Sequence, residues 1–379
     1  MAIEAGADSS GDRRLELNAM RAALALARRG LGAVWPNPSV GCVIVNDGRV
    51  VGRGWTQPGG RPHGETEALR RAGEAARGAV AHVSLEPCCH WGQTPPCVDA
   101  LIAAGVRRVV VALEDPDPRV AGEGLRRLRA AELDVEVGLC AEEAAEANAG
   151  FLSRLRLGRP LVTFKLATSL DGRIAVATGE SQWITGPPAR DRAHALRASH
   201  DAIMVGTGTV VADDPQLTCR LPGLGHRSPV RVVIDRHLRI SPASRIIADA
   251  PRVPTWVLTL RSADPGRRAM FLANRVTLID VDDDGEGQID LAAALGALGE
   301  RGITRLLVEG GARLAAAFFR ARLIDRLVWV HAPLVIGGDG IPAIAGFDLA
   351  ALADGRAFER LSTETIGDDV LTTFRVRPI

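Results

Sequence analysis

The sequence of 379 residues contains no tyrosine, and aromatic residues make up only 4% of it. Surfaces that bind single-stranded nucleic acid are built from stacked aromatic side chains and clustered positive charge, whereas the formal net charge here is only +1. The longest apolar runs fall far short of the ~20 residues that cross a membrane. The composition therefore predicts neither a nucleic-acid partner nor a membrane partner.

The N-terminal stretch MAIEAGADSSGDRR lacks the apolar core of a secretory signal peptide. It predicts a flexible leader over residues 1–14 and a cytoplasmic location for the chain. Thiols stay reduced in the cytoplasm, so the six cysteines are not expected to form a disulfide framework. Cys42, Cys140 and Cys219 occur singly, and each is expected to be a small buried apolar residue.

Short β-rich runs alternate with segments of helical apolar spacing along the chain. The stretch SVGCVIVNDGRVVGRGW has two β-rich runs around residues 46–48, which predicts a hairpin. Such alternation predicts an α/β protein with a mostly parallel sheet. A helical stretch that ends at Pro160 separates two halves. We expect a first domain over 15–150, a linker over 151–160 and a second domain over 161–379.

One histidine and two cysteines carry the clearest chemical signal. The stretch PHGETEAL contains His63 and Glu65, and LEPCCHWGQTPPC contains Cys88 and Cys97. One imidazole and two thiols suit a tetrahedral zinc site whose fourth position is left for water, as in catalytic sites. Zinc lowers the pKa of that water from ~16 toward ~7. Glu65 follows closely enough to move a proton from the water to a leaving amine.

Two plainer interpretations of this segment stay open. The cysteines could be small buried residues, or they could form a structural zinc knot with Cys89 or His90 as the fourth ligand. The order of Pro-His-x-Glu, Glu-Pro-Cys and Thr-Pro-Pro-Cys, in a strand–loop–helix context, favours the catalytic site.

These stretches resemble the signature H-x-E…P-C-x-x-C of the cytidine-deaminase-like zinc deaminases. Eight residues, rather than two, separate Cys88 from Cys97. That longer spacing is similar to the deaminase half of the bifunctional riboflavin-biosynthesis deaminase/reductases. The stretches PNPSVGCVIV, AGVRRVVVALEDPDPRVAGEGLRRL and LVTFKLATSLDGRIAVATGESQWITG also resemble that family. The resemblance runs from about Leu15 to the C-terminus.

For the first domain, the resemblance implies a cytidine-deaminase-like α/β/α fold. It implies zinc-dependent hydrolytic deamination of 2,5-diamino-6-ribosylamino-4(3H)-pyrimidinone 5′-phosphate, with Glu65 as the proton shuttle. The family usually has Ala at the position of Gly64 and Ser at that of Cys89, and both differences exchange one small residue for another. The implied zinc ligands are His63, Cys88 and Cys97.

For the second domain, the resemblance implies a dihydrofolate-reductase-like α/β fold. This domain would reduce the ribosyl group with NADPH to give 5-amino-6-ribitylaminouracil 5′-phosphate. No G-x-G-x-x-G follows a first strand, so a Rossmann fold is not predicted. Instead, LLVEGGARLAAAF places Gly310 and Gly311 between a strand and a helix. A diphosphate can approach the helix N-terminus there.

Matching positions imply two sets of residues in the second domain. Arg236 stands where some relatives have a serine, so it is either a cation for the 2′-phosphate of NADPH or a solvated surface residue. Asp213 is the candidate for a proton-transfer or positioning role, because hydride transfer itself needs mainly placement of the nicotinamide. The implied cofactor-binding residues are Ala167, Trp183, Thr209, Asp213, Arg236, Gly311, Ala312, Arg313, Leu314, Ala315, Ala316 and Ala317. The implied substrate-binding residues are Ser181, Arg197, Leu217, Arg220 and Glu309.

Two other functions stay open. One is a zinc deaminase that acts on a nucleic-acid base, with the second domain as a binding module, although the few aromatic residues count against it. The other is a non-enzymatic protein with a structural zinc. The family resemblance favours a small-molecule pyrimidine ribonucleotide as substrate. It also implies a homo-oligomer, either a dimer or a tetramer, that assembles through the second domain.

Overall fold

The computed structural model describes residues 9–377, with side chains from residue 13 onward. It divides into two compact units, of which the first extends to Arg156 and the second begins at Leu157. None of the described helices is long and apolar enough to cross a membrane.

The first unit contains six α-helices and five strands among the described residues. The helices are α1 (Ser9–Ala27), α2 (Gly64–Ala72), α3 (Cys97–Ala103), α4 (Glu123–Ala130), α5 (Ala141–Ala147) and α6 (Ala149–Leu157). The strands are β1 (Gly41–Asn46), β2 (Arg49–Trp55), β3 (Val80–Val83), β4 (Arg108–Val111) and β5 (Asp134–Val137).

These five strands form one sheet in the order β2-β1-β3-β4-β5. The hairpin of β1 and β2 confirms the sequence prediction, and its turn residues Asp47 and Gly48 both have positive φ, 47° and 72°. Asp-Gly is favoured there because a two-residue hairpin turn needs left-handed backbone at both positions. β1 pairs antiparallel with β3, whereas β3, β4 and β5 are parallel.

Both faces of this sheet are covered. Alternate residues of a strand point to opposite faces. Val43 therefore belongs to a buried cluster with Met20 and Leu24 of α1. Cys42 and Ile44 belong to the larger cluster on the other face, to which α2, α3 and α4 contribute. The first unit is thus a three-layer α/β/α arrangement.

The predicted leader over residues 1–14 needs correction. α1 begins at Ser9, and residues 1–8 lie outside the described part of the chain. Arg13 pairs with Glu16 at 3.2 Å and with Glu136 at 2.5 Å. The second contact joins distant parts of the sequence, so local apolar spacing did not indicate it.

The predicted linker over residues 151–160 also needs correction. Helix α6 continues to Leu157, and the boundary between the units lies just before that residue. Phe151 and Leu152 are buried in the core of the first unit. Their burial ties most of the predicted linker to that unit.

The second unit contains six α-helices and eleven strands among the described residues. The helices are α7 (Pro187–Ala198), α8 (Thr207–Asp213), α9 (Arg245–Ala248), α10 (Pro265–Ala273), α11 (Leu291–Glu300) and α12 (Ala312–Arg320). The strands are β6 (Leu161–Thr168), β7 (Arg173–Ala175), β8 (Ala202–Gly206), β9 (Val230–Ile234), β10 (Thr255–Thr259), β11 (Thr277–Asp280), β12 (Arg305–Val308), β13 (Arg326–His331), β14 (Ile341–Pro342), β15 (Phe358–Ile366) and β16 (Asp369–Val376).

A nine-stranded sheet with the order β11-β10-β9-β8-β12-β6-β13-β16-β15 forms the centre of this unit. The strands from β11 to β13 in that order run parallel, as predicted, and only β16 runs in the opposite direction, so it pairs antiparallel with both β13 and β15. β8 and β12 are neighbours with their carboxyl ends at the same edge. Ligands of open α/β sheets bind at such an edge.

Candidate active sites

Three side chains of the first unit that are able to hold a metal ion lie together. His63 immediately precedes α2, Cys88 lies in the loop after β3, and Cys97 is the first residue of α3. His63 Nδ1 is 3.5 Å from Cys88 Sγ and 3.3 Å from Cys97 Sγ. The structure therefore brings the predicted set together. Among residues 13–377, whose side chains the structure describes, no second group of three His, Cys, Asp or Glu side chains lies this close.

The charges at this cluster suit a metal. The backbone N–H of Cys97 donates to Cys88 Sγ at 3.3 Å. The pKa of the Cys88 thiol is lowered to about 4, chiefly because the Cys97 thiol also hydrogen-bonds to that sulfur. Thiolate sulfur and neutral imidazole nitrogen are the forms that bind zinc. The residues present thus fit a zinc ion with three protein ligands.

Glu65 lies beside the cluster in the first turn of α2, and it is only 2% exposed. Its Oε2 atom has no hydrogen-bond partner, and burial raises the pKa of the carboxyl to about 7. An unpartnered carboxylate oxygen at a metal-binding cluster is available to exchange a proton with a bound reactant.

Cys89 and His90 do not join the cluster. Cys89 Sγ instead donates to the Arg119 carbonyl at 3.5 Å, and neither residue belongs to the metal-ligating group. A structural knot with a fourth protein ligand is therefore wrong for this geometry. Of the three single cysteines, Cys42 and Cys219 are buried as predicted, whereas Cys140 is only partly buried.

Glu86, two residues before Cys88, was not singled out from the sequence. Its buried carboxylate accepts backbone N–H groups from Asp115 at 3.1 Å, Gly122 at 3.0 Å and Leu125 at 3.2 Å. These bonds fix the start of the cysteine loop to the segment after β4 and to the first turn of α4. The only sequence signal was its place in the Leu-Glu-Pro-Cys string.

A cleft of about 1910 Å³ lies in the second unit. It contains every predicted substrate-binding residue and most of the predicted cofactor-binding residues. The predicted residues that line it are Ala167, Ser181, Trp183, Arg197, Thr209, Asp213, Leu217, Arg220, Glu309, Gly311, Ala312, Arg313, Leu314 and Ala317.

Three predicted cofactor-binding residues do not line the cleft. Ala315 and Ala316 face the protein core and are 0% and 4% exposed, because they lie on the inner side of α12. Arg236 donates from Nη1 to the Gly287 carbonyl at 2.6 Å. Gly287 lies in a loop whose neighbouring residues Glu286 and Gln288 do line the cleft.

A buried ion pair lies at the base of this cleft. Arg197 donates from Nε and Nη2 to the two carboxylate oxygens of Glu309, both at 2.8 Å. Burial alone would raise the pKa of Glu309, but the Arg197 charge overrides this effect and lowers it to about 2. The paired geometry fixes both side chains.

Lys165 also lines the cleft, and the sequence analysis missed it. Burial lowers the pKa of its ammonium group, an effect that Glu309 partly offsets. The available signal was a lysine within the apolar strand sequence LVTFKLAT. Two cations and one carboxylate thus meet at this point of the cleft.

Trp183 and the start of α12 line other parts of the cleft. Trp183 is 65% exposed, and the Arg190 guanidinium lies 4.4 Å from the centroid of its ring. Gly311 is the residue before α12, with no hydrogen-bonding side chain over the first turn. The free N–H groups of a first turn suit a diphosphate. An aromatic face and this helix start together fit a dinucleotide such as NADPH.

Comparison with known families agrees with both sites. Residues 14–113 match the zinc-binding region of cytidine and deoxycytidylate deaminases. Residues 160–372 match the RibD C-terminal domain. The fold and the two sites thus define an enzyme with a deaminase unit and a reductase unit.

Relatives extend over nearly the whole chain. The riboflavin biosynthesis protein RibD of Escherichia coli (strain K12) is 45% identical, over 93% of this chain and 96% of that protein. RibD of Mycobacterium tuberculosis is 41% identical, over 91% and 93%. The solved structure of Acinetobacter baumannii RibD, form 1, has a TM-score of 0.87 and 37% identity over 96% of this chain and 99% of that one.

This chain belongs to the RibD family of bifunctional riboflavin-biosynthesis deaminase/reductases. The predicted fold class, the two enzyme activities and the cofactors Zn²⁺ and NADPH are confirmed. The bifunctional reading is thereby favoured over a deaminase that acts on a nucleic-acid base.

Proposed function

We propose that the first unit deaminates 2,5-diamino-6-ribosylamino-4(3H)-pyrimidinone 5′-phosphate. The second unit then reduces the ribosyl group to give 5-amino-6-ribitylaminouracil 5′-phosphate. The name of a similar protein from Thermotoga maritima supports this order. That protein is a diaminohydroxyphosphoribosylaminopyrimidine deaminase and a 5-amino-6-(5-phosphoribosylamino)uracil reductase, and it has 33% identity and a TM-score of 0.85.

The observation that carries the deaminase proposal is the convergence of His63, Cys88 and Cys97 beside Glu65. The first three residues would hold zinc. When bound, zinc supplies a water of lowered pKa at neutral pH. Glu65 Oε2 accepts the proton of the attacking water and later gives it to the departing amine. Ammonia leaves as the product of hydrolysis.

In the second unit, the predicted residues that line the cleft would bind the two reactants. Trp183, Thr209 and the start of α12 would hold NADPH, and Arg197, Arg220 and Glu309 would hold the sugar phosphate. These residues would bind and orient the cofactor and the substrate, because the hydride itself comes from the cofactor. Asp213 lines the same cleft, and burial raises its pKa, which supports its proposed positioning or proton-transfer role.

We also propose a cytoplasmic homo-oligomer, either a dimer or a tetramer, that assembles through the second unit. Strand β15 supports this idea, because it lies at the end of the nine-stranded sheet. An edge strand leaves one row of backbone groups free to pair with another chain.

Glu65→Gln tests the deaminase proposal. The amide cannot take up a proton, so ammonia release should fall by roughly 10²- to 10⁴-fold, while zinc content stays at the parent level. NADPH oxidation with the deaminated intermediate should be unchanged, which serves as the internal control for folding. Parent-like ammonia release by this variant, measured on the purified full chain, would contradict the assignment of Glu65.

A further inference from the structure

The turn between β15 and β16 lies against the first turn of α7. A Cβ atom at Gly367, in this turn, would lie 3.3 Å from Pro188 Cγ. Next to this contact, Leu371 of β16 belongs to the same buried cluster as Ala189 of α7. The C-terminal hairpin of β15 and β16 therefore packs on the start of a helix that lies far from it in the sequence.

Asp369, the first residue of β16, makes a polar contact between the hairpin and the start of α7. The residue is only 3% exposed, and its Oδ2 atom accepts the Gly186 N–H at 2.7 Å. A buried carboxylate costs free energy unless it is hydrogen-bonded. A hydrogen bond to a charged group also contributes more than one between neutral groups. This bond therefore fixes the backbone of Gly186 against the hairpin.

Gly186 is the residue immediately before α7, and the first two residues of that helix are prolines. Proline has no backbone N–H, so Pro187 and Pro188 offer no donor to a carboxylate. A Cβ atom at Gly186 would lie 3.4 Å from Asp369 Oδ2, which shows that the carboxylate lies directly against this residue. The Gly186 N–H is thus the donor through which the hairpin holds the segment that leads into α7.

The segment that ends at Gly186 also reaches the cleft of the second unit. Ser181 and Trp183 both line that cleft. Arg190, in the first turn of α7, donates from Nη1 to the Thr185 carbonyl at 3.3 Å, and its guanidinium lies 4.4 Å from the centroid of the Trp183 ring. A contact that fixes the start of α7 therefore also fixes the position of the indole ring.

We infer that Asp369 is a positioning residue of the reductase cofactor site, which acts through Gly186 and the start of α7 on Trp183. Asp369 is not among the described residues that line the cleft, so it has no direct contact with the reactants. Its hydrogen bond joins residues 183 positions apart, which makes the C-terminal hairpin part of the support for NADPH binding. The inference rests on the proposed role of Trp183 in holding NADPH.

A double-mutant cycle on NADPH binding tests this inference with the full chain. Isothermal titration calorimetry measures the dissociation constant of NADPH for the parent, Asp369→Ala, Trp183→Ala and the double variant. Asp369→Ala should weaken NADPH binding by roughly five- to fiftyfold, and Asp369→Asn should weaken it less because the amide keeps an acceptor oxygen. In the Trp183→Ala background, Asp369→Ala should have little further effect, because the ring that it positions is already absent.

The neighbouring residue Asp368 provides the matched control. It is exposed, so Asp368→Ala should bind NADPH like the parent. Denaturant unfolding checks that each variant is folded, and Asp369→Asn takes the place of Asp369→Ala in the cycle if the alanine variant does not fold. Parent-like NADPH binding by the Asp369 variant, or additive losses in the cycle, would overturn the positioning role alone. Parent-like NADPH binding by Trp183→Ala would overturn the proposed role of Trp183 and this inference together.

Discussion

Cys88 and Cys89 are adjacent, yet their side chains have different partners. Cys88 Sγ lies 3.5 Å from His63 Nδ1, whereas Cys89 Sγ donates to the Arg119 carbonyl. Residue type alone does not distinguish the two thiols as metal ligands. The difference comes from the direction in which the loop backbone presents each side chain.

Single substitutions of Cys88 and Cys89 should therefore show which of the two thiols binds zinc. Cys88→Ser should reduce zinc from about one ion per chain to near zero after dialysis, because three protein ligands is already the minimum for such a site. Cys89→Ser should keep the parent zinc content. Elemental analysis of both purified variants measures the difference. Equal zinc loss in the two would contradict the ligand assignment.

His200 is a buried histidine of the second unit with both ring nitrogens engaged. Its Nδ1–H donates to the Leu196 carbonyl at 2.7 Å, and its Nε2 accepts from the Thr163 hydroxyl at 3.0 Å. Burial, with a smaller effect from the Arg305 charge, lowers its pKa to about 3. The folded protein thus holds this imidazole neutral.

The free energy of unfolding should consequently depend on pH through His200. Below the ordinary histidine pKa of about 6.5, the His200 imidazole binds a proton in the unfolded chain but stays neutral in the folded chain. The stabilising effect of His200 is therefore complete above about pH 6.5. It is lost as the pH falls toward 3, by up to about 1.4 kcal/mol per pH unit.

His200→Asn should remove the pH dependence of the unfolding free energy that His200 causes. The asparagine amide keeps a side-chain donor near the Leu196 carbonyl. Denaturant unfolding of the second unit, followed at several values between pH 4 and pH 7.5, measures the unfolding free energy of both proteins as a function of pH. The parent curve should fall more steeply than the variant curve below pH 6.5. Parallel curves would show that His200 is not held neutral.

At the scale of elements, α2 packs directly on the backbone of β2. A Cβ atom at Gly54 would lie 2.5 Å from Ala68 N, and it would also overlap the Gly64 carbonyl. Glycine at this position lets the helix approach the strand. Because α2 begins beside His63 and carries Glu65, this contact sets the position of half of the zinc site.

Gly54→Ala should push α2 outward. We expect the first unit to lose at least about 1–3 kcal/mol of unfolding free energy and to bind zinc more weakly. Gly296→Ala, in α11 of the second unit, is the control, because a Cβ atom there meets nothing within 4 Å. That change should be neutral or stabilising by about 0.5–1 kcal/mol. Denaturant unfolding and zinc content test both variants, and a harmless Gly54→Ala would disprove the close contact.

At the scale of the whole molecule, the chain builds one α/β unit for each activity, and each unit has its own buried core. The alternation of strands and helices predicted this organisation, because each type of element has its own apolar period. The predicted ends of the first unit, at residues 15 and 150, differ from the structure, in which α1 begins at Ser9 and the unit extends to Arg156. Arg13 and Phe151 are held by contacts with distant residues, and local spacing does not encode such contacts.

The zinc cluster was predictable from the sequence, whereas parts of the reductase cleft were not. Few residue types bind zinc, so His63, Cys88 and Cys97 stand out by chemistry and spacing. Lys165 has no such local signature, and only the fold brings it to the cleft. Arg236 was placed by resemblance, whereas its contact with the Gly287 carbonyl joins residues 51 positions apart, which local sequence does not indicate.

The three backbone hydrogen bonds accepted by Glu86 have a consequence for how the protein acquires its metal. They anchor the loop just before Cys88 through contacts that involve no metal ligand. The conformational entropy of ordering that segment is therefore lost during folding and not when the ion arrives. We therefore expect zinc to bind at a site whose backbone is already ordered. Zinc binding would then require proton release from the ligands but little rearrangement of the chain.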